Sequence, residues 1–197
     1  MQKKKIGVKD MKFYIVRHGQ TNWNKKGKIQ GKTDIELNEE GIEQAKEVRK
    51  ILEKYPIDVI VSSPLKRARK TAEIINETKK VPIIFDKGIE ERGFGEFEGK
   101  IGKEIQDEIW NSEILDNYNL NKQYKGVETI QDLCNRVWGL FDELKQEYED
   151  KNILIVTHGG VTRAINGYFN GTNEQGILES LWLNNCEIRI FEKNDEK

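Results

Sequence analysis

The sequence of 197 residues is poor in the residue types that mark several protein classes. Its two cysteines, Cys134 and Cys186, are too few for a disulfide scaffold or a four-cysteine zinc site. Three prolines and two histidines occur, and no proline-rich linker or internal repeat divides the chain. No apolar run approaches the ~20 residues that a membrane-spanning helix needs. These absences argue against disulfide-rich, zinc-ribbon and membrane-spanning proteins.

An excess of one charge is also lacking. The chain has 33 Lys and Arg against 34 Asp and Glu, for a net charge of -1. A strong imbalance would have favoured nucleic acid or a membrane surface as partner, so we expect neither. Residues 1–10 are charged and lack the apolar stretch of a signal peptide. We predict a cytoplasmic protein in which residues 1–10 form an N-terminal extension and residues 11–197 form a single domain.

Short apolar runs alternate with segments of helical periodicity. Four runs, at 13–16, 59–61, 83–85 and 153–156, predict buried strands, and a fifth extends from about Cys186 to Phe191. Apolar residues at steps of three or four predict helices over residues 42–55, behind an Asn38 cap, and over residues 130–148. This alternation predicts an α/β fold in which neighbouring strands are parallel.

Both histidines follow a predicted strand and precede a glycine. The two runs read Arg17-His18-Gly19 and Thr157-His158-Gly159-Gly160. Ligands of such sheets bind beyond the carboxyl ends of the strands, and glycine lets the backbone approach a ligand closely. One histidine there would usually be a satisfied core residue, but two at equivalent positions favour a site. Because no carboxylate or cysteine lies at ligand spacing from either histidine, we predict no metal site.

A third strand end carries a basic run. Ser63 is a candidate helix cap and Pro64 suits the first helical position. Four cations follow within two turns, where the helix dipole disfavours each by ~0.3–1 kcal/mol. A solvated basic face is the commoner interpretation. A bound anion would instead turn this helix start into a phosphate site, with Arg67 as its inward-facing residue.

The glycines at 93, 95 and 99 approach a dinucleotide-binding fingerprint. Their spacing differs from it, and no predicted strand directly precedes them, so we reject that interpretation. The glutamates among these glycines would by themselves indicate a solvated acidic loop. The sequence has no Walker-type phosphate loop either.

Together these segments resemble the histidine phosphatase, or phosphoglycerate mutase-like, superfamily. Residues 17–24 (Arg-His-Gly-Gln-Thr-Asn-Trp-Asn), 63–68 (Ser-Pro-Leu-Lys-Arg-Ala) and 157–160 (Thr-His-Gly-Gly) match its three signatures in order. Gly31 and Asp34 match a shared turn. The resemblance extends from about Met11 to the last strand and implies a three-layer α/β/α sandwich with a mostly parallel central sheet. It also implies a phosphatase that hydrolyses small phosphomonoesters through a phosphohistidine, without cofactor or metal.

The resemblance further implies roles for individual residues. His18 matches the nucleophile. Glu91, four residues before Gly95, matches the proton donor of the family's E-x-x-x-G pattern, and Glu90 is the alternative if the register differs. The implied catalytic residues are His18, Glu91, Arg17, Arg67 and His158. The implied phosphate- or substrate-binding residues are Asn24, Thr21, Gln30, Gly31 and Gly159.

The chemistry of phosphoryl transfer agrees with these roles. Charge spreads over the equatorial oxygens, and two arginines with a protonated His158 could stabilise it without a metal. His18 must be neutral to attack, so we expect a backbone carbonyl to hold one ring nitrogen as a donor. Glu91 would protonate the leaving alcohol and then activate the hydrolytic water.

Two other functions compete with the phosphatase. A cofactor-dependent phosphoglycerate mutase of this family carries a longer insertion with an arginine pair, whereas residues 99–126 are few and contain no arginine. Gly93 and Phe94 also replace the histidine and tyrosine of the mutase motif. An inactive phosphate-binding module would have lost His18 or the acid, and this chain keeps both.

The segment before the second histidine contains apolar side chains that could cover a pocket or pack as ordinary helix. They are Trp110, Leu115, Tyr118, Leu120 and Tyr124. We expect a small phosphorylated metabolite as partner. Sugar phosphates, phosphoserine, α-ribazole phosphate and non-specific small esters all stay open, and so does a homodimer.

Overall fold

The computed structural model describes residues 11–105, 117–119 and 124–192, and these contain one five-stranded sheet. Its strands are β1 (Lys12–Arg17), β2 (Val59–Ser62), β3 (Ile83–Phe85), β4 (Ile153–Thr157) and β5 (Ile188–Glu192). The order is β3-β2-β4-β1-β5, with the first four strands parallel and β5 antiparallel to β1. The five predicted strands are confirmed. The predicted extension, residues 1–10, lies outside the described residues.

Five α-helices connect or flank these strands in the described part of the chain. They are α1 (Asn22–Lys25), α2 (Glu39–Leu52), α3 (Lys66–Lys79), α4 (Ile130–Glu147) and α5 (Gly159–Asn170). The predicted Asn38 cap of α2 is confirmed, because its Oδ1 accepts a 2.8 Å hydrogen bond from the backbone N–H of Gly41. None of the helices in these described ranges is both long and apolar enough to cross a membrane.

The helices cover both faces of the sheet and so make three layers. Successive side chains of a strand point to opposite faces. Val16 and Val156 pack with Leu52 of α2 and Ala68 of α3. The strand residues next to them, Ile15 and Ile155, belong to a second core on the other face of the sheet. There they pack with residues of α4 and α5: Leu133, Val137, Ala164 and Ile165. The predicted α/β/α sandwich is confirmed.

Helix α3 begins later than predicted. Leu65 occupies the N-cap position and Lys66 is the first helical residue, so the assignment of Ser63 as cap and Pro64 as first residue is wrong. The Ser63 hydroxyl instead lies 2.7 Å from Nε2 of His158. The backbone N–H of Lys66 donates to Oδ1 of Asp34 at 2.8 Å, so a carboxylate of the protein occupies this helix start. The backbone at the start of α3 is therefore satisfied by the protein itself, whereas Arg67 as a phosphate ligand stays a prediction.

Candidate active site

The two histidines meet at one edge of the sheet. The register of β1 and β4 pairs Arg17 with Thr157, so the next residues, His18 and His158, leave the sheet side by side. The backbone N–H of His18 still donates to the Thr157 carbonyl at 2.9 Å. The two ring centroids are 5.1 Å apart, and both side chains are almost completely buried.

A cavity of about 360 Å³ opens at this edge. Seven of the ten predicted site residues line it: Arg17, His18, Asn24, Gln30, Gly31, Glu91 and Gly159. The other three, Arg67, His158 and Thr21, are fully buried. The structure therefore brings the first and third motifs to one concave space of a size suited to a small ligand, and Arg67 of the second motif is near enough to lower the pKa of both histidines.

His18 is held in one orientation and one tautomer. Its Nδ1 lies 2.7 Å from the carbonyl oxygen of Gly19, which can only accept, so Nδ1 carries the proton and the lone pair of Nε2 is available. Burial lowers the pKa of His18 well below its ordinary value, and the charges of Arg67 and Arg17 lower it further against the opposing Gly19 hydrogen bond. The imidazole is consequently neutral near pH 7, as a nucleophile requires.

Gly19 has no space for a side chain. A Cβ at this position would collide with the backbone carbonyl of Gly41 at the start of α2. The N–H of Gly19 donates to the Thr71 hydroxyl at 3.1 Å, and the Asn185 amide donates to the His18 carbonyl at 2.8 Å. The backbone after β1 is thereby fixed from three sides.

Three buried nitrogens near His18 have no hydrogen-bond partner among the described residues. They are Nε of Arg17, Nε of Arg67 and Nδ1 of His158. Leaving a buried donor unsatisfied costs about 1–3 kcal/mol. A tetrahedral anion with several acceptor oxygens would satisfy such a group of donors. These nitrogens are the strongest structural sign of an anion site.

Terminal nitrogens of both guanidinium groups donate hydrogen bonds that hold the two arginines in place. Arg67 donates to the carbonyls of Thr33 at 2.8 Å and Gly31 at 2.7 Å. Arg17 donates to the carbonyl of Leu183 at 2.7 Å, and its guanidinium lies 4.7 Å from the ring centroid of Trp182. Both cations are thus oriented before any ligand arrives.

His158 differs from the expectation in its charge. Burial lowers its pKa well below the ordinary value, and Arg67, His18 and Arg17 lower it further, so these surroundings hold it neutral near pH 7 rather than protonated. The Ser63 Oγ accepts weakly from the Leu65 N–H at 3.3 Å, so its own proton can be donated to Nε2 of His158. In that tautomer the unpartnered Nδ1 bears a hydrogen and is a donor.

The carboxylate of Glu91 lies in the cavity wall, whereas Glu90 does not line the cavity. Its Oε1 accepts from the backbone N–H groups of Arg92 at 2.9 Å and Gly160 at 3.0 Å. Gly160 belongs to the first turn of α5, so this contact joins the Glu91 side chain to the start of that helix. A Cβ on Gly160 would lie 2.5 Å from that same oxygen, so this approach requires glycine.

Thr21 lies behind two cavity residues and holds them. It is the N-cap of α1, and its hydroxyl donates to Oε1 of Gln30 at 3.0 Å. Its backbone N–H donates to Oδ1 of Asn24 at 3.0 Å, so the NH₂ group of Asn24 is the part that can donate to a ligand. Gly31 has a φ of 53° and would place a Cβ against Glu98, which explains glycine there.

Sequence reasoning missed several residues of the cavity wall, among them the polar or aromatic side chains of Arg163, Trp182 and Asn185. Arg163 lies on α5 one turn after Gly160. Trp182 is 60% exposed in the segment between α5 and β5, and Asn185 follows it there. This segment has no periodicity or motif to mark it. Its isolated tryptophan is the one available signal, and no spacing rule connects that residue to Arg17.

The predicted apolar cover is described only in part. Tyr118 stacks on Trp138 with ring centroids 5.2 Å apart, and Tyr124 stacks on Phe97 at 6.1 Å. Neither tyrosine is among the residues described as lining the cavity, which favours ordinary packing for both. Trp110, Leu115 and Leu120 lie outside the described residues. Within the described ranges, no three His, Cys, Asp or Glu side chains come together as a metal site would need.

Comparison with known proteins agrees with this geometry. Residues 13–197 match the family model of the histidine phosphatase superfamily (branch 1). An uncharacterized phosphatase, PhoE, from Bacillus subtilis is 38% identical over 93% of this chain and 89% of its own. A metal-independent phosphoserine phosphatase from Arabidopsis thaliana is 32% identical over 98% of this chain and 81% of its own.

A solved structure gives the same result. Phosphoserine phosphatase from Entamoeba histolytica, in complex with 3-phosphoglyceric acid, superposes with a TM-score of 0.80. It is 32% identical, and the match covers 94% of this chain and 92% of that one.

Proposed function

The chain belongs to the histidine phosphatase superfamily and is a phosphoric monoester hydrolase, and we propose that it hydrolyses small phosphomonoesters through a phosphohistidine on His18. The observation that carries the proposal is the group of unpartnered buried nitrogens on Arg17, Arg67 and His158. The imidazole of His18 is neutral with its Nε2 lone pair available, both arginines are near enough to lower its pKa, and the ring of His158 lies 5.1 Å away. A nucleophile beside preoriented donors is what in-line phosphoryl transfer requires.

In the first step, Nε2 of His18 attacks phosphorus and the bond from phosphorus to the ester oxygen breaks. Arg17, Arg67, His158 and the Asn24 amide hold the three phosphoryl oxygens. Protonated Glu91 gives its proton to the departing oxygen, so the product leaves as a neutral alcohol. A general acid of this kind contributes ~10²–10⁴-fold to the rate for a poor leaving group.

In the second step, a water molecule replaces the alcohol beside Glu91. The carboxylate takes one proton from the water while the water oxygen attacks phosphorus. The bond from phosphorus to Nε2 breaks, inorganic phosphate forms, and His18 returns to its neutral state. Glu91 is then protonated again for the next ester, so no other acid or base is needed.

The relatives suggest the substrates to test first. One is named a phosphoserine phosphatase, and a similar solved structure holds 3-phosphoglyceric acid. A cavity of about 360 Å³ has room for esters of this size. Phosphoserine and 3-phosphoglycerate therefore lead the panel, with sugar phosphates and α-ribazole phosphate beside them. We further propose a cytoplasmic location, and light scattering of the purified protein would decide between a monomer and a homodimer.

The test is phosphate release from this panel by the wild type and His18→Ala, in EDTA. We expect release by the wild type on at least one ester and none by His18→Ala. A separate reaction supplies 3-phosphoglycerate with its bisphosphate activator. Formation of 2-phosphoglycerate without phosphate release would contradict the proposal and identify a mutase. Loss of wild-type activity in EDTA would contradict the metal-independent mechanism.

A further inference from the structure

Glu91 sits in a stretch of backbone without regular secondary structure. The 3₁₀ turn Lys87–Ile89 precedes it, and residues 90–93 have no helix or strand. A loop of this kind does not by itself hold a side chain to the precision that proton transfer needs. Some other part of the molecule must fix it.

The side chain of Arg136, on α4, reaches this loop from behind. It donates to the carbonyl of Gly88 at 2.8 Å, to that of Lys87 at 3.4 Å and to the carbonyl of Glu91 itself at 3.3 Å. Arg136 is not among the described residues of the cavity wall. It therefore contacts the backbone of the proposed proton donor without contacting the space for substrate.

Glu128 completes the arrangement. Its two carboxylate oxygens accept from Nε of Arg136 at 2.6 Å and from a terminal nitrogen of the same guanidinium at 3.0 Å. It also accepts from the N–H of Gly93 at 2.9 Å, and its own carbonyl accepts from Arg92 Nε at 2.8 Å. Burial alone would raise the pKa of Glu128, but the hydrogen bonds and charge of Arg136 hold it below the ordinary value. The pair is thus ionised and fork-shaped, with bonds to the loop on both sides of Glu91.

We infer that Glu128 and Arg136 form a positioning clamp that holds Glu91 against Gly160 for proton transfer to the leaving group. The inference rests on the proposed function, because it takes Glu91 to be the proton donor. Loss of the clamp would move the carboxylate and leave the phosphoryl pocket in place. A misplacement of about 1 Å can cost on the order of 10²-fold in rate.

The leaving group separates this role from a purely structural one. An alkyl phosphate needs its departing oxygen protonated, whereas the leaving group of p-nitrophenyl phosphate needs little protonation. The experiment measures kcat on phosphoserine and on p-nitrophenyl phosphate, together with inhibition by inorganic phosphate. Its variants are Glu91→Gln, Arg136→Gln and Arg136→Lys. Arg49→Gln is the matched control, since Arg49 also pairs with a glutamate and is 20% exposed against 21% for Arg136.

For Arg136→Gln we expect kcat on phosphoserine to fall roughly 10–100-fold more than kcat on p-nitrophenyl phosphate. Inhibition by phosphate should stay within about threefold of the wild type, since Arg136 does not line the cavity and is the weakest of the charges that lower the pKa of His158. Arg136→Lys keeps the charge and should lie between wild type and Arg136→Gln, which preserves the test if the latter does not fold. Arg49→Gln should not lower kcat on one substrate more than on the other.

Two results would overturn the inference. If Glu91→Gln discriminates between the substrates and neither Arg136 variant does, the clamp is wrong while the proposed acid stands. If Glu91→Gln itself lowers kcat equally on both substrates, the acid assignment fails and the clamp fails with it.

Discussion

The two buried histidines predict a specific dependence of stability on pH. Burial and the neighbouring arginines lower the pKa of both His18 and His158 well below the ordinary 6.5. As the pH falls through 6.5, the imidazoles of the unfolded chain bind protons and those of the folded chain do not. The free energy of unfolding must therefore decrease as the pH falls in this range.

The size of the loss follows from proton linkage. Between pH 6.5 and 5.5, an imidazole of pKa 6.5 that is protonated only when unfolded removes about 1 kcal/mol of stability. Two such groups remove about 2 kcal/mol, or about 4–8 °C in Tm for a chain of this size. Because the whole sequence contains these two histidines alone, the variant with both replaced by glutamine has no imidazole at all.

The assay is denaturant unfolding of the wild type, both single variants and the double variant at pH 6.5 and 5.5. The buffer must lack phosphate, because a bound anion would stabilise the folded state by itself. We expect the wild type to lose about 2 kcal/mol more than the double variant between the two pH values, and each single variant to lose about half of that excess. Equal losses in wild type and double variant would refute the claim that both imidazoles are neutral when folded.

Three further predictions concern the same site. Ser63→Ala should leave Nε2 of His158 without its 2.7 Å partner and lower the free energy of unfolding by about 1–3 kcal/mol. The control Ser62→Ala loses an equally buried hydroxyl that donates to a backbone carbonyl, and it should cost less stability and keep full activity. Equal effects of the two variants on activity would argue against the tautomer assigned to His158. Gly160→Ala should lower kcat on alkyl phosphates more than on p-nitrophenyl phosphate, because the added Cβ displaces the Glu91 carboxylate; an unchanged substrate ratio would contradict that contact. Trp182→Ala should weaken inhibition by phosphate severalfold, measured as Ki, by releasing the guanidinium of Arg17, and an unchanged Ki would show that the stacking does not orient it.

The sequence predicts the fold well because its signals are local. The apolar runs of β1 and β4 and the periodicity of α2 and α4 each lie within a short window, and layering follows from their alternation. The predicted start of α3 is wrong because tertiary contacts decide where this helix begins. The hydroxyl of Ser63 was available as a cap, but a buried imidazole 95 residues away binds it instead.

The candidate site, too, could be predicted from the sequence only in part. His18 and His158 could be located because each follows a strand and precedes a glycine, and the sheet register then brings them together. The stacking of Trp182 on Arg17 and the contact of Arg136 with the Glu91 loop join segments that are distant in the chain. No periodicity or spacing records such contacts. They depend on how helices and loops pack once the fold has formed.

The most direct test of the account is to trap the covalent intermediate. The wild type, His18→Ala and His158→Gln are mixed with a radiolabelled phosphomonoester, quenched rapidly in alkali and mapped by peptide. We expect an acid-labile phosphoryl group on the peptide of His18 in the wild type, a slower appearance of the same label in His158→Gln, and none in His18→Ala. Label retained in His18→Ala, or found on His158 in the wild type, would contradict the assignment of His18 as the nucleophile.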